Sequence, residues 1–352
     1  MSSKTFLNRI SRLQTLLKTW KADGCLIETP LDLFYLTGLQ LSLGILIVLP
    51  SKVKLFVDGR YIEFAKKNSP FQVDQVELLS QEEISAFLRP VRALVFDTAA
   101  TTIHRYEQIK KIYSGALRGV LQPTRELRLI KDSQELKLMK KSAAVVWKGY
   151  EHIRRSLKVG ITEKELALSF EVFCRQRGAE KLSFDPIIAF GKNSAYPHHR
   201  AGDEKLKKDQ IVLIDIGVVV DHYHSDMTRT VFFGKPDPRL VLLETVVKKA
   251  HDAALQLCKE GTKVGDLDKA ARQVIQRAGL EEMILHSLGH GIGLETHEFP
   301  RLKIKGEDQN VILQEGMAIT IEPGLYLPGV GGVRYEDTIM ITSKGYTNFY
   351  AE

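Results

Sequence analysis

Two aspartates interrupt a stretch that otherwise reads as a pair of β-strands: IVLIDIGVVVDHYHSDMTRTVFF carries Asp215 and Asp226. An unpaired charge in so apolar a run costs roughly several kcal/mol. With the turn centred on Val220 and Asp221, Asp215 and Asp226 face each other across a hairpin, their Cβ atoms about 4.5 to 5.5 Å apart. Carboxylates this close repel, so a cation between them is what allows both to stay ionised. Taken alone, the pair is equally well explained if one acid faces solvent or caps a turn. Two further acids shift the balance. Glu322 ends the strand MAITIEP and Glu336 lies within GGVRYEDTIMIT, again in apolar surroundings. Alternation places Arg334, Glu336 and Thr338 on one face. The glycine- and proline-rich loop 323–332 lets these strands return antiparallel and leaves their register open.

The segment HSLGHGIGLETHEFP adds His286, His290 and His297. A lone histidine is more often structural than catalytic, but three beside four strand-borne acids point to a metal centre. Oxygen donors with one imidazole and few thiolates suit manganese, magnesium, iron or cobalt better than calcium. Glycines 289, 291 and 293 are expected to form a tight loop or irregular strand whose backbone comes close to whatever is bound. Rival motifs are weak. His297 begins an HExxH-like run, but Arg301 stands where the second histidine must be. GHGIGLE opens no βαβ unit, so a dinucleotide loop is not expected. Neither a GxSxG elbow nor a GxxxxGK[ST] phosphate loop is present.

The elements that must position these residues fall into two groups. At 352 residues the chain exceeds the roughly 250 to 300 that one core supports. Residues 1–125 are expected to form an α/β domain: an amphipathic helix, then DGCLIET, a strand ending in LGILIVLP, KVKLFVDGRY followed by a short helical stretch, and a buried strand at VRALVFDT. Residues 122–132, with Pro123 and a charge run, read as a linker into a second domain, 126–352. That domain begins with a helix over 133–158. Gly160, Ile161 and Thr162 break it, and Thr162 with Glu165 forms a capping-box signature for the next helix, ending near Gly178. Strands and glycine-rich loops follow, interrupted by helices near 240–260 and 264–279.

Composition sets the outer bounds. Hydrophobic residues at 44% and charged residues at 26% are ordinary for a globular protein. The longest apolar runs, 44–50 and 211–220, fall short of the roughly 18 residues of a membrane span. The N-terminus has helical apolar spacing and no apolar block before a cleavage site, so a cytoplasmic protein is expected. Cys25, Cys174 and Cys258 are isolated, which suits buried thiols in a reducing compartment. A net charge of +7 and a pI of about 9.1 raise the question of nucleic acid. Acidic residues interleave with the basic ones, however, and no aromatic stacking pattern accompanies them, so a solvated surface is expected.

On these motifs the chain resembles the pita-bread-fold metallopeptidases that include aminopeptidase P, prolidase and methionine aminopeptidase. Asp215, Asp226, His290, Glu322 and Glu336 fall in order on that family's DIG, SDMTRT, GHGIG, TIEPGLY and GVRYEDT motifs. The likeness extends to LFYLTGL and VDGRYIEFAKK, which resemble the creatinase/prolidase N-terminal domain and favour aminopeptidase P or prolidase over methionine aminopeptidase. The loop between Glu322 and Glu336 is shorter than in larger aminopeptidases P.

The resemblance implies an α/β N-terminal domain followed by a catalytic domain with a curved antiparallel sheet covered by helices. It implies two divalent cations, manganese first and cobalt, zinc or iron as alternatives, with Asp226 and Glu336 bridging both. Asp215 would complete one site, and His290 and Glu322 the other. Glu322, His297 and His198, the last in a Tyr196-Pro197-His198 element, would be catalytic. His198, His286, His297, Arg334 and Tyr326 would contact substrate. The implied activity is release of the N-terminal residue from proline-containing peptides with proline second, by a homodimer that binds neither nucleic acid nor membrane. The alternatives are an Xaa-Pro dipeptidase, a silent binding protein of the same fold, and a creatinase-like hydrolase, which does not keep the five ligands.

Overall fold

In the computed structural model, which describes residues 3–76 and 82–350, the chain divides into two units, residues 1–127 and 128–352. The first carries the expected pattern. Its elements are α1 (Ser3–Thr19), β1 (Gly24–Ile27), α2 (Pro30–Thr37), β2 (Ile45–Val48), β3 (Val53–Val57), α3 (Ile62–Asn68), β4 (Gln72–Gln75), α4 (Glu82–Leu88), β5 (Ala93–Asp97), α5 (Ile103–Ile112) and β6 (Ala116–Val120). The strands form one mixed sheet in the order β4-β3-β2-β1-β5-β6. The central strands β1, β2 and β5 are largely buried, which is why they read as apolar runs rather than as alternating ones. Cys25, Cys174 and Cys258 are all buried free thiols, as expected, and burial pushes their pKa values upward.

The boundary between the two units falls within the expected linker, 122–132, which also holds a short helix, α6 (Arg125–Leu129). Its RELRL sequence is made of good helix formers, which outweigh the preceding Pro123. Asp132 then caps α7 (Ser133–Arg155) through a complete capping box with Glu135. Thr162 and Glu165 do the same for α8 (Glu163–Arg175), as the sequence predicts. Gly149 lets these two helices meet: a Cβ there would lie 2.5 Å from the Phe170 ring. The remaining helices are α9 (Pro238–Leu255) and α10 (Val264–Arg277).

The strands of this second unit are β7 (Lys181–Leu182), β8 (Ile187–Phe190), β9 (Gln210–Ile216), β10 (Val218–Val220), β11 (Tyr223–His224), β12 (Met227–Phe233), β13 (Gly289–Gly291), β14 (Glu298–Leu302), β15 (Ala318–Ile321), β16 (Gly324–Leu327), β17 (Gly331–Arg334), β18 (Asp337–Thr342) and β19 (Gly345–Asn348). All their pairings are antiparallel. One apolar core joins α7 and α8 to β8, β9 and β10. A second joins α9 and α10 to β15, β17 and β18. Antiparallel sheet under helices is therefore the architecture of this unit.

The first hairpin differs from expectation by one residue. Its turn is Asp221-His222, with φ of +47° and +72°, so Val220 pairs with Tyr223 and Asp215 with Thr228. With positive φ at both central positions, as in a type I′ turn, Asp and His are better tolerated there than a β-branched Val220. Moving the turn centre by one residue moves each partner by two and keeps the face. Asp215 and Asp226 are thus diagonal neighbours on one side rather than directly opposed.

The second hairpin, whose register the sequence left open, pairs Ile321 with Asp337 and, beyond a gap, Gly324 with Arg334. Glu322 and Glu336 both stand in that gap, outside the strands proper. Their N–H groups leave the hairpin: Glu322 donates to the Leu288 carbonyl at 2.7 Å and Glu336 to the Thr228 carbonyl at 3.2 Å. This diversion brings β13 and β12 to the two acids.

Candidate metal centre

The four acids and His290 converge on a cavity of about 510 Å³, whose wall also includes His198, His286, His297 and Arg334. Ligand-capable atoms of Asp226, His290 and Glu336 lie within 4.8 Å of one another. His290 Nε2 is 3.5 Å from Glu322 Oε1 and 3.7 Å from Asp226 Oδ2. Its other nitrogen donates to the Gly291 carbonyl at 3.0 Å, which leaves the Nε2 lone pair facing the acids. Burial, then the neighbouring His297, pushes the His290 pKa down to about 3, so the ring stays neutral.

The acids are crowded. Burial and the Asp215 charge push Glu336 up to about 8. Burial, then Glu336, raises both Asp226 and Glu322 well above the ordinary carboxylate range. Arg334 reaches Asp215 Oδ2 at 2.5 Å. Asp215 Oδ1 and Glu336 Oε1 are nevertheless buried without a hydrogen-bond partner. Buried oxygens left unpaired in a cluster of acids are what a set of cation ligands presents. The donor set, four carboxylates and one neutral imidazole, fits a pair of divalent cations.

Side chains behind the cluster hold it in place. Thr228 donates to Glu336 Oε2 at 2.8 Å and accepts from Arg334 Nε at 3.1 Å. The Asp226 carbonyl accepts from Thr338 at 3.0 Å and from the Tyr350 hydroxyl at 2.8 Å. Arg229 donates to the Glu336 carbonyl at 2.5 Å and to Asp337 at 2.6 Å. Sequence reasoning missed Thr228 and Arg229, although SDMTRT offers a signal for the first: Thr228 lies two residues from Asp226 and so on the same strand face.

The residues expected to meet substrate occupy different environments. His198 and His297 are both exposed at the cavity wall, and the His297 ring stands beside that of His290, centroids 4.3 Å apart. Half-buried His286 and fully buried Tyr326 form a relay instead. Tyr326 donates to His286 Nε2 at 2.8 Å and accepts from Arg334 Nη1 at 2.5 Å. Burial pushes Tyr326 up to about 12 and His286 down to about 4, so both are neutral. Arg334 itself is only 3% exposed, held by Asp215, Tyr326 and Thr228.

Two glycines of the histidine segment make room for neighbouring strands. A Cβ on Gly289 would lie 2.1 Å from the Thr320 carbonyl, and one on Gly291 2.4 Å from that of Phe299. They admit β15 and β14 against β13, with a register irregularity between His290 and Gly291.

The model of metallopeptidase family M24 matches residues 137–343, and that of the creatinase/prolidase N-terminal domain matches residues 9–130. An uncharacterised peptidase of Staphylococcus epidermidis is 35% identical over 347 residues, covering 97% of this chain and 98% of that protein. Two solved structures are similar over nearly their whole length. A Xaa-Pro dipeptidase from Bacillus anthracis superposes with a TM-score of 0.95 at 31% identity, covering 99% of this chain and 98% of the other. A X-Pro aminopeptidase from Thermotoga maritima superposes with a TM-score of 0.88 at 27% identity, covering 97% and 98%. With its antiparallel catalytic unit, its buried acid and histidine cluster and these likenesses, the chain belongs to metallopeptidase family M24, metal-dependent hydrolases of the pita-bread fold, and carries a creatinase-type N-terminal domain.

Proposed function

We propose that this protein is an Xaa-Pro aminopeptidase that releases the first residue from peptides with proline in second position. The observation that carries the reading is the cavity floor, where Asp215, Asp226, Glu322, Glu336 and His290 meet and two buried carboxylate oxygens lack partners. In this reading those five residues hold two divalent cations, manganese first. When bound, such cations supply Lewis acidity that polarises a peptide carbonyl and acidifies water.

The chain's own groups do the rest. Glu322, whose burial favours holding a proton, takes one from the attacking water and delivers it to the departing proline nitrogen. His297 and His198 donate to the developing oxyanion from the cavity wall. Asp215 accepts the substrate's α-ammonium, which restricts cleavage to the first residue. Phe184, Ile187 and Pro197 supply apolar wall for the side chains on either side of the scissile bond.

A dipeptidase is the second reading, and a specific observation favours it. Arg200 and Arg301 also line the cavity, offering cations to the C-terminal carboxylate of a two-residue substrate. The deciding experiment adds manganese to chelator-stripped protein with Ala-Pro or Ala-Pro-Ala. Cleavage of the tripeptide supports the aminopeptidase, and cleavage of the dipeptide alone makes the protein a prolidase. No cleavage of either by metal-loaded protein removes the proline specificity from the reading.

A further inference from the structure

A buried carboxylate outside the acid cluster has no part in the chemistry described above. Glu163, the first residue of α8, is fully buried, and both its oxygens are saturated. Oε1 accepts from the Phe190 N–H at 2.8 Å and from Asn193 Nδ2 at 2.9 Å. Oε2 accepts from the Gly202 N–H at 2.9 Å and from His199 Nε2 at 2.8 Å. A carboxylate cannot donate, so His199 carries its proton on Nε2.

All four donors come from residues 190–202, the segment that leaves β8 and carries His198 and Pro197 into the cavity wall. One side chain therefore holds the start, the middle and the end of that segment. The same segment reaches the second hairpin. Ser194 Oγ accepts from the Gly332 N–H at 2.9 Å, and a Cβ on Gly332 would meet the Ser194 carbonyl at 2.3 Å. Gly332 lies in β17, two residues before Arg334.

We propose that Glu163, acting through His199 and Asn193, is a positioning residue that sets where His198 stands toward the substrate. His198 is exposed, and nothing else described for its side chain fixes it, so its placement depends on the backbone on either side. A fully saturated carboxylate suits that task better than an apolar side chain would, because each of its four bonds fixes a separate point of the segment. The proposal rests on the peptidase reading for the role of His198, while the placement of that ring is independent of it.

The test is a double-mutant cycle with Glu163→Gln and His198→Ala, assayed for kcat and KM on the peptide the wild type cleaves. Misplacing a catalytic group by about an ångström lowers turnover on the order of tenfold to a hundredfold, so Glu163→Gln is expected to do so in the wild-type background. In the His198→Ala background it is expected to cost less than about threefold, because the group it positions is gone. Manganese affinity by calorimetry is expected to be unchanged in every variant. Equal fold losses in both backgrounds overturn the proposal, since a merely structural residue acts additively. Should Glu163→Gln not fold, His199→Gln keeps three of the four bonds and takes its place in the same cycle. Imidazole NMR separates the two readings: a displaced His198 signal in the Glu163 or His199 variant supports positioning whichever peptide is cleaved. An unmoved signal overturns it, and the peptide assay of wild type alone judges the function.

Discussion

Residues 133–233 and 238–348 follow one plan: a pair of helices, a flanking strand, and a long hairpin broken where carboxylates stand. In the first half α7 and α8 precede β8 and the hairpin of β9 to β12. In the second α9 and α10 precede β13 and the hairpin of β15 to β18. Each hairpin keeps the same register on both sides of its break. The flanking strands differ. β8 sets Ile187 beside Asp215, whereas β13 brings His290, whose N–H reaches the Thr320 hydroxyl at 3.1 Å. One half thus adds a nitrogen donor where the other adds apolar cavity wall. The lesson is that a repeated scaffold makes an asymmetric site when a single flanking position changes: in the reading proposed above both halves supply carboxylates to the cations, and only the second adds an imidazole and the proton carrier.

The sharpest way to break this division is Glu322→Gln in the second half. Losing a positioned proton carrier is expected to reduce kcat by about 10² to 10⁴ while circular dichroism shows an intact fold. A fully active variant removes the proton-carrying role from Glu322 and from its half of the molecule.

Metal removal probes what the halves share. Folding raises the pKa of Glu336 to about 8 and of Asp226 and Glu322 well above the ordinary range. Between the ordinary carboxylate range and those raised values, the folded metal-free protein holds more protons than the unfolded chain. Its stability contribution from these groups is therefore present at low pH and lost as pH rises through about 8. Metal-free protein is expected to melt at least several degrees lower at about pH 8.5 than at about pH 6, with manganese abolishing most of the difference. Calorimetry of the stripped protein across that range checks it, and a melting point that rises with pH would show that the acids are not protonated without metal.

On the substrate side, Ile187→Ala is expected to raise KM about tenfold and leave kcat within about threefold, because it removes apolar wall without touching a proton carrier. Steady-state kinetics with a bulky first residue against alanine is the measure. An equal loss in kcat would mean that Ile187 acts on the chemistry through Asp215, with which it pairs, rather than as apolar wall alone.

These expectations also mark what the sequence made legible. Asp215, Asp226, Glu322 and Glu336 were conspicuous because each interrupts an apolar run, and such interruptions need no knowledge of pairing. The caps were visible for the same reason: Thr162 and Glu165 are neighbours in sequence. Pairing itself was harder. That Glu322 and Glu336 stand together in a gap follows from where the N–H groups of both turn, toward Leu288 and Thr228, and those partners are distant in sequence. Gly289 and Gly291 make room for the neighbouring carbonyls of Thr320 and Phe299, which nothing local announces. Glu163 carries no sequence signal of its own, and only the fold places four donors around it.

The smallest expected effect concerns how the first hairpin acquires its register. Asp221 and His222 both have positive φ, while the turn of the second hairpin places only Gly329 there, at +77°. His222 bears a left-handed cost of about 1 to 2 kcal/mol that glycine would not, offset by roughly 0.5 to 1 kcal/mol because glycine loses more freedom on folding. The His222 N–H bond to Glu180 at 3.3 Å survives the change, and the ring's 3.6 Å approach to the same carboxylate is a partly exposed pair contributing about 0 to 1 kcal/mol. His222→Gly is thus expected to shift stability by less than about 1 kcal/mol, toward a more stable protein, with activity unchanged. Denaturant melts with a parallel assay read both. A clear loss of stability with lost activity would mean that the histidine ring, rather than the turn's backbone, holds Asp215 and Asp226 on one face.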